Sequence, residues 1–278
     1  MTSSLVVEIG NYPVRFSTDD PALLGCLRTR FGDFVTEAPS SAPVDFSVRL
    51  LTPGLLPGGR DIQVTHVNGC WRFARDLFHS EWFPKHGRGS VRTSPLNFSR
   101  DAALAVPGPM AASVDSTLRV LHTLLLAPGG GFLLHAASAV RNGKAFVFSG
   151  VSGAGKSTIS RLAPPDVTLL TDEISYICPQ GETYRAFGTP FVGDLSRNGA
   201  NISAPLKEIN LLAQGSSNKR ELLPPPKAAA GLLRNVLFFA VDPEYVPLVF
   251  ETACRVASTV PIYRLTFVPT EEVWEMIS

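Results

Sequence analysis

Eight consecutive residues, Gly150-Val151-Ser152-Gly153-Ala154-Gly155-Lys156-Ser157, followed by Thr158, match the pattern G-x-x-x-x-G-K-[ST]. Glycines at this spacing let the main chain turn so that successive N–H groups point at phosphate oxygens, and a following helix adds its positive dipole end. Lys156 then reaches the outer phosphates of a nucleotide, and Ser157 offers a hydroxyl to the magnesium ion that bridges them. An incidental glycine-rich turn needs no strand before it or helix after it. Here Ala145-Phe146-Val147-Phe148-Ser149 precedes the loop and a helical stretch runs on from Lys156 through Ile159.

Further along, the apolar run Val167–Leu170 passes through Thr171 into Asp172 and Glu173. A strand that ends this way carries carboxylates to the side of a bound nucleotide, and two chemistries compete for them. In an ATPase the aspartate orients magnesium and the glutamate activates water. In a kinase one acid takes the proton of an acceptor hydroxyl while the other helps to hold the metal. Only sixteen positions separate Lys156 from Asp172, room for one helix and one strand. That interval is shorter than the common ATPase folds use, and it favours the kinase.

Upstream, Phe132–Val140 and Lys144–Ser149 read as two strands around Asn142-Gly143, a strong signal for a two-residue hairpin turn. The register of such a hairpin sets His135 across from Gly150, beside the phosphates. A histidine on an apolar strand is by default a core residue, so register is the whole argument for a functional one.

The elements that must position these groups alternate through the second part of the chain. A helix from Ser113 to about Leu126, with Ser113 as its N-cap, is ended by Pro128-Gly129-Gly130-Gly131. After the loop, the helix from Lys156 is cut by Pro164-Pro165, and irregular structure is expected from the acidic pair to about Leu222. Helices near Lys227–Phe239 and Pro243–Ala257, a strand Ile262–Phe267 and a short terminal helix near Thr270 complete it, with Pro224-Pro225-Pro226 as a stiff helix entry. Ahead of these, residues 1–108 read as an α+β domain. It has strands at Leu5–Ile9, Val14–Ser17, Val44–Leu51, Ile62–His66 and Ser90–Thr93, and a helix within Asp20–Phe34. Its aromatic stretch, Trp71, Phe73, Phe78, Trp82 and Phe83, fits a buried core better than a base-stacking surface. Pro107-Gly108-Pro109 marks the break, leaving 109–278 as the nucleotide-binding domain.

Composition bounds the partners. The 278 residues are 45% hydrophobic and 18% charged, enough apolar content for substantial cores. With 25 Lys+Arg against 24 Asp+Glu and no basic block, nothing draws the chain to nucleic acid or an anionic membrane. Four scattered cysteines and five unclustered histidines form neither a disulfide framework nor a zinc motif. Met1–Glu8 has no basic or long apolar leader, and no apolar run reaches the roughly 18 residues that span a bilayer. A cytoplasmic protein is expected.

Taken in order, His135, the Gly150–Thr158 loop and the Asp172-Glu173 strand end resemble the catalytic domain of bacterial HPr kinase/phosphorylase, whose relatives include kinases of lasso-peptide precursors. The resemblance is strongest over residues 113–178. It implies a phosphoenolpyruvate-carboxykinase/HPr-kinase-like P-loop domain of α/β class preceded by the smaller α+β domain. It also implies ATP and Mg2+ as cofactors, phosphate transfer to a serine hydroxyl of a peptide or small protein, and assembly into a homo-oligomer. By position Asp172 is then the acid/base, assisted by His135, with Lys156 at the transferred group and Glu173 beside Ser157 near the metal. Glu173 stands where the family has aspartate. The family's further metal-binding glutamate has Asp194, in Gly188–Asp194, as its nearest counterpart, and the arginine-containing phosphorylase signature has none. A kinase that does not act on HPr, a catalytically weak nucleotide-binding regulator and a small-molecule kinase all remain compatible with these residues.

Overall fold

The computed structural model describes residues 2–50, 61–75, 78–93 and 109–277. The chain forms two compact units, Met1–Leu124 with Phe239–Pro243, and Leu125–Phe238 with Glu244–Ser278. The protein is mixed α/β, and each unit has its own sheet. Among the described residues no helix is long and apolar enough to cross a membrane.

In the first unit, β1 (Ser3–Ile9) and β2 (Tyr12–Thr18) form a hairpin that leads into α1 (Pro21–Phe31). The Asp20 carboxylate accepts from the amides of Ala22 and Leu23 at 2.9 and 3.2 Å, which fixes the start of α1. Leu23, Leu27 and Phe31, at helical spacing, are its buried face. The strands β3 (Val35–Thr36), β4 (Val44–Leu50), β5 (Gln63–Val67), β6 (Cys70–Arg75), β7 (Phe78–Phe83) and β8 (Arg88–Thr93) complete a sheet of order β3-β1-β2-β4-β8-β7-β6-β5. Trp71, Phe73, Phe78 and Trp82 are buried and Phe83 is exposed, so the aromatic stretch is mainly core.

The helix α2 (Pro109–Leu126) starts ahead of the expected N-cap. Ser113 is buried inside it, its hydroxyl 2.8 Å from that of Thr93, and so cannot cap. Of the expected boundary, Pro107 and Gly108 lie outside the described residues, and the two units part within α2.

The second unit opens on β9 (Phe132–Arg141) and β10 (Lys144–Ser149), antiparallel about Asn142 and Gly143, whose φ of 52° and 72° are those of a tight hairpin turn. Next come α3 (Lys156–Arg161), β11 (Thr168–Thr171), β12 (Ile174–Gln180), β13 (Thr183–Phe187), β14 (Ser203–Gln214) and β15 (Lys219–Leu222). The remaining elements are α4 (Pro225–Leu233), β16 (Val236–Leu237), α5 (Tyr245–Thr259), β17 (Ile262–Phe267) and a terminal 3-10 turn at Glu271–Met276.

The region expected to be irregular up to Leu222 is instead rich in strand, and it contains the centre of the sheet. β14 runs parallel to both β10 and β17, and it pairs with β13 at its beginning. Its sequence, Ser203-Ala-Pro-Leu-Lys-Glu-Ile-Asn-Leu-Leu-Ala-Gln214, hides this because Glu208 and Asn210 are polar yet buried. The Asn210 amide donates to Glu208 at 3.0 Å, Glu208 pairs with Arg220 of β15, and the Arg220 guanidinium lies 3.7 Å from the centre of the Tyr263 ring. Buried charge is tolerated where it is paired and hydrogen-bonded in this way.

Two apolar clusters cover the sheet. One joins Ala145, Val147, Ile209 and Ile262 to Ala228, Leu232 and Val256 of α4 and α5. The other joins Phe146, Phe148, Leu265 and Phe267 to Ile159 of α3 and to Val273 and Trp274. The expected helix over 227–239 stops at Leu233, because the chain turns at Asn235 and Val236–Leu237 pair with β9.

Candidate functional site

Three parallel strands, β10, β14 and β17, end on the same edge of the sheet, and in open α/β sheets that edge is where ligands sit. The loop from Gly150 to Gly155 leaves β10 there and enters α3 directly at Lys156. Gly155 has φ 109°, and a Cβ on it would stand 2.7 Å from the Phe267 ring at the end of β17, so both backbone and space call for glycine. Ala154 N donates to Val151 O at 3.1 Å, closing the turn, and the Gln214 side chain at the end of β14 donates to Gly153 O at 3.0 Å. Val151, Ser152 and Gly153 are exposed at the tip, while Ala154 and Lys156 are buried and Thr158 is half-buried. Pro164-Pro165 follow soon after α3, and the helix is short as expected.

Lys156 folds back over the loop. Its Nζ donates to Gly150 O at 3.0 Å and to Val151 O at 3.3 Å. Burial pushes its ammonium below the usual lysine value, against the upward pull of the Glu173 and Asp194 carboxylates. Two acids therefore act on this one cation across a gap of at least sixteen residues.

The acidic pair is divided between two environments. Thr171 Oγ1 accepts from the amides of Glu173 and Ile174, both at 3.2 Å, and so turns the chain sharply after β11. Asp172 is only 4% exposed. Its Oδ1 accepts from Gly193 N at 3.1 Å and its Oδ2 from Leu195 N at 2.8 Å. Glu173 is half-buried, and its carbonyl takes the Ala136 amide of β9 at 3.1 Å.

Between Gly193 and Leu195 stands Asp194, exposed, whose Oδ2 accepts from Ser157 Oγ at 2.6 Å. The segment from Gly188 to Ile202 that carries it is sewn onto the end of β11. Thr189 N donates to Leu170 O at 3.1 Å, Ala200 N to Leu169 O at 3.0 Å and Gly199 N to Thr189 O at 3.0 Å.

His135 occupies the position in β9 that the hairpin register assigns it. The last β9–β10 pair is Ala136 with Ser149, one step away, and Ser149 Oγ donates to His135 O at 3.1 Å. On its other side His135 pairs with Ile174, the residue after Glu173. Its strand position thus lies between the start of the loop and the acidic pair.

The structure accordingly gathers Lys156, Ser157, Glu173 and Asp194 around the loop, and it sets Asp172 behind Asp194. Gln214 and Phe267 had no signal of their own in the sequence. Only the knowledge that β14 and β17 run parallel beside β10 singles out their final residues.

A family model described as SynChlorMet cassette protein ScmC matches residues 112–278, from α2 to the end of the chain and including every residue of this site. No curated protein matches the chain.

Proposed function

We propose that the chain, which belongs to the ScmC family, is an ATP- and magnesium-dependent kinase that phosphorylates a serine hydroxyl of a peptide or small protein on a P-loop domain of the HPr-kinase type. The observation that carries this reading is the convergence of Ser157, Asp194, Lys156 and Glu173 on one glycine-rich turn at the carboxyl ends of parallel strands.

The residues present fit the groups this requires. Ser157 and the two carboxylates offer hard oxygen donors of the kind magnesium takes, and the small glycine loop leaves its backbone open to a phosphate chain. Among the described residues no set of three or more His, Cys, Asp or Glu side chains makes a metal cage. A magnesium ion that completes its shell with phosphate oxygens and water needs none.

Bound MgATP supplies the γ-phosphoryl group and an ADP leaving group. Lys156 releases the carbonyls of Gly150 and Val151 and donates to phosphate instead, which neutralises charge on the transferred group. Ser157 and Asp194 would hold the magnesium ion, whose charge would offset that of the phosphates. The acceptor hydroxyl oxygen forms the new bond to phosphorus as the bond to the ADP oxygen breaks, and a carboxylate of the Asp172-Glu173 turn takes the hydroxyl proton. His135, on the neighbouring strand, assists from the loop side.

The test uses the full chain. Titration calorimetry with ATP and magnesium should show saturable heat, and γ-labelled ATP should transfer label to serine peptides of a library. A second reading, a nucleotide-binding regulator with little or no transfer, is favoured by the two backbone amides that already occupy the Asp172 carboxylate. Tight ATP binding with no label in any peptide selects it, and no heat at all removes both.

A further inference from the structure

We infer that Asp172 is a positioning residue: its buried carboxylate clamps the Gly193–Leu195 turn and so holds Asp194 against Ser157. The inference rests on the kinase reading for its consequence but not for its geometry.

One carboxylate oxygen is spent on each flank of Asp194, with Gly193 N on Oδ1 and Leu195 N on Oδ2. At 4% exposure these charge-assisted bonds are shielded from competing water, which makes them the strong kind. The turn is also built for the clamp. A Cβ on Gly193 would stand 2.8 Å from Asp172 Oδ2, 3.0 Å from its Cγ and 3.0 Å from the Glu173 Cβ, so only glycine lets the main chain come this close.

Elsewhere the segment bonds through its backbone to Leu169 and Leu170, with Gly199 N closing on its own Thr189 O, and these bonds lie toward its two ends rather than at its tip. Within the tip, Ser196 N returns to Gly193 O at 3.1 Å, which shapes the turn and ties it to no strand. The Asp172 carboxylate supplies that tie.

Asp172→Asn keeps the shape but gives one amide hydrogen an NH2 group to face. In the nucleotide-free protein, hydrogen exchange followed by NMR should quicken at least about tenfold at the Gly193 and Leu195 amides. The Gly199 and Ala200 amides, bonded to Thr189 and Leu169, should keep their rates and serve as the internal reference. Gly193→Ala, which leaves the carboxylate intact and pushes the turn off it, should give the same pattern. Equal acceleration at all four amides, or none, overturns the clamp.

The second readout is the magnesium concentration that half-saturates ATP binding. It should rise by about the same factor, on the order of tenfold, in Asp172→Asn and in Asp194→Asn, and no further in the double variant, because one acts through the other. Losses that multiply in the double variant overturn the proposal. If wild-type protein binds no MgATP the kinase reading fails, while the exchange experiment still decides the clamp.

Discussion

The two loops that meet at Ser157 are built on opposite principles. The Gly150–Gly155 loop draws its form from its own residues: Gly153 and Gly155 take φ of 79° and 109°, and its closing hydrogen bond spans three residues, Ala154 to Val151. The Gly188–Ile202 segment draws its form from elsewhere. Internal bonds such as Gly199 N to Thr189 O and Ser196 N to Gly193 O shape it, but bonds to Leu169, Leu170, Asp172 and Ile174 place it, and its glycines at 188 and 199 serve space rather than φ. A Cβ on Gly199 would lie 1.6 Å from Leu170 O, whereas one on Gly153 would meet nothing within 4 Å. One loop is a property of eight contiguous residues and the other a property of the fold.

Substitutions sharpen this contrast, and the largest effect belongs to the second loop. Gly199→Ala drives a methyl into backbone that cannot yield, and should lower stability by about 3 kcal/mol in denaturant titrations. A loss below about 1 kcal/mol would contradict the close packing there.

Lys156→Ala should leave the fold intact and weaken MgATP binding by about a hundredfold, roughly 2.7 kcal/mol, as charge-assisted phosphate contacts are lost. Its stability effect has a definite sign. The folded-state pKa is depressed, so between that value and the ordinary lysine value the unfolded chain binds more protons and stability rises with pH. Burial of the charge is thus a penalty at neutral pH, relieved on the alkaline side. Lys156→Met should therefore melt higher than wild type near pH 7 without nucleotide, and thermal scans at increasing pH should show the gap closing.

Gly153→Ala meets open space and pays only for its left-handed backbone, about 1–2 kcal/mol, and Gly153→Asn should recover much of that. Stability curves for this pair set beside Gly199→Ala test the contrast directly. Smallest is Gln214→Ala, which removes one neutral, exposed hydrogen bond to Gly153 O and should lower ATP affinity by about threefold to fivefold, near 1 kcal/mol or less. An effect as large as that of Lys156→Ala would mean that the first loop is not self-sufficient after all.

Much of the site is legible in the sequence for the same reason that its loop is self-sufficient. The motif, the Asn142-Gly143 turn and the register that carries His135 to the start of the loop depend on residues close together in the chain, and turn chemistry and strand alternation report on them. The last strand, Ile262–Phe267, lies where the sequence reading sets it. The acidic pair was visible as a type, and separate roles for its members came only from the resemblance.

Illegible were the elements whose character depends on partners. β14 reads as a polar loop because Glu208 and Asn210 are buried in it, and they are affordable only beside Arg220, ten or more residues away. Ser113 reads as a helix cap until Thr93 claims its hydroxyl. Asp194 could be named as the nearest acid, but nothing local placed it on Ser157.

The sequence by itself determined the loop, the hairpin before it, the histidine's position and the presence of two acids at a strand end. All of these are short-range consequences of backbone freedom and side-chain alternation. The tertiary structure decided which acid meets the loop and which is turned away to hold a neighbouring segment. That choice is made by hydrogen bonds between residues more than twenty positions apart, Asp172 with Gly193 and Leu195, and Ser157 with Asp194. Such bonds exist only once the sheet has brought their donors and acceptors within 3.1 Å of each other.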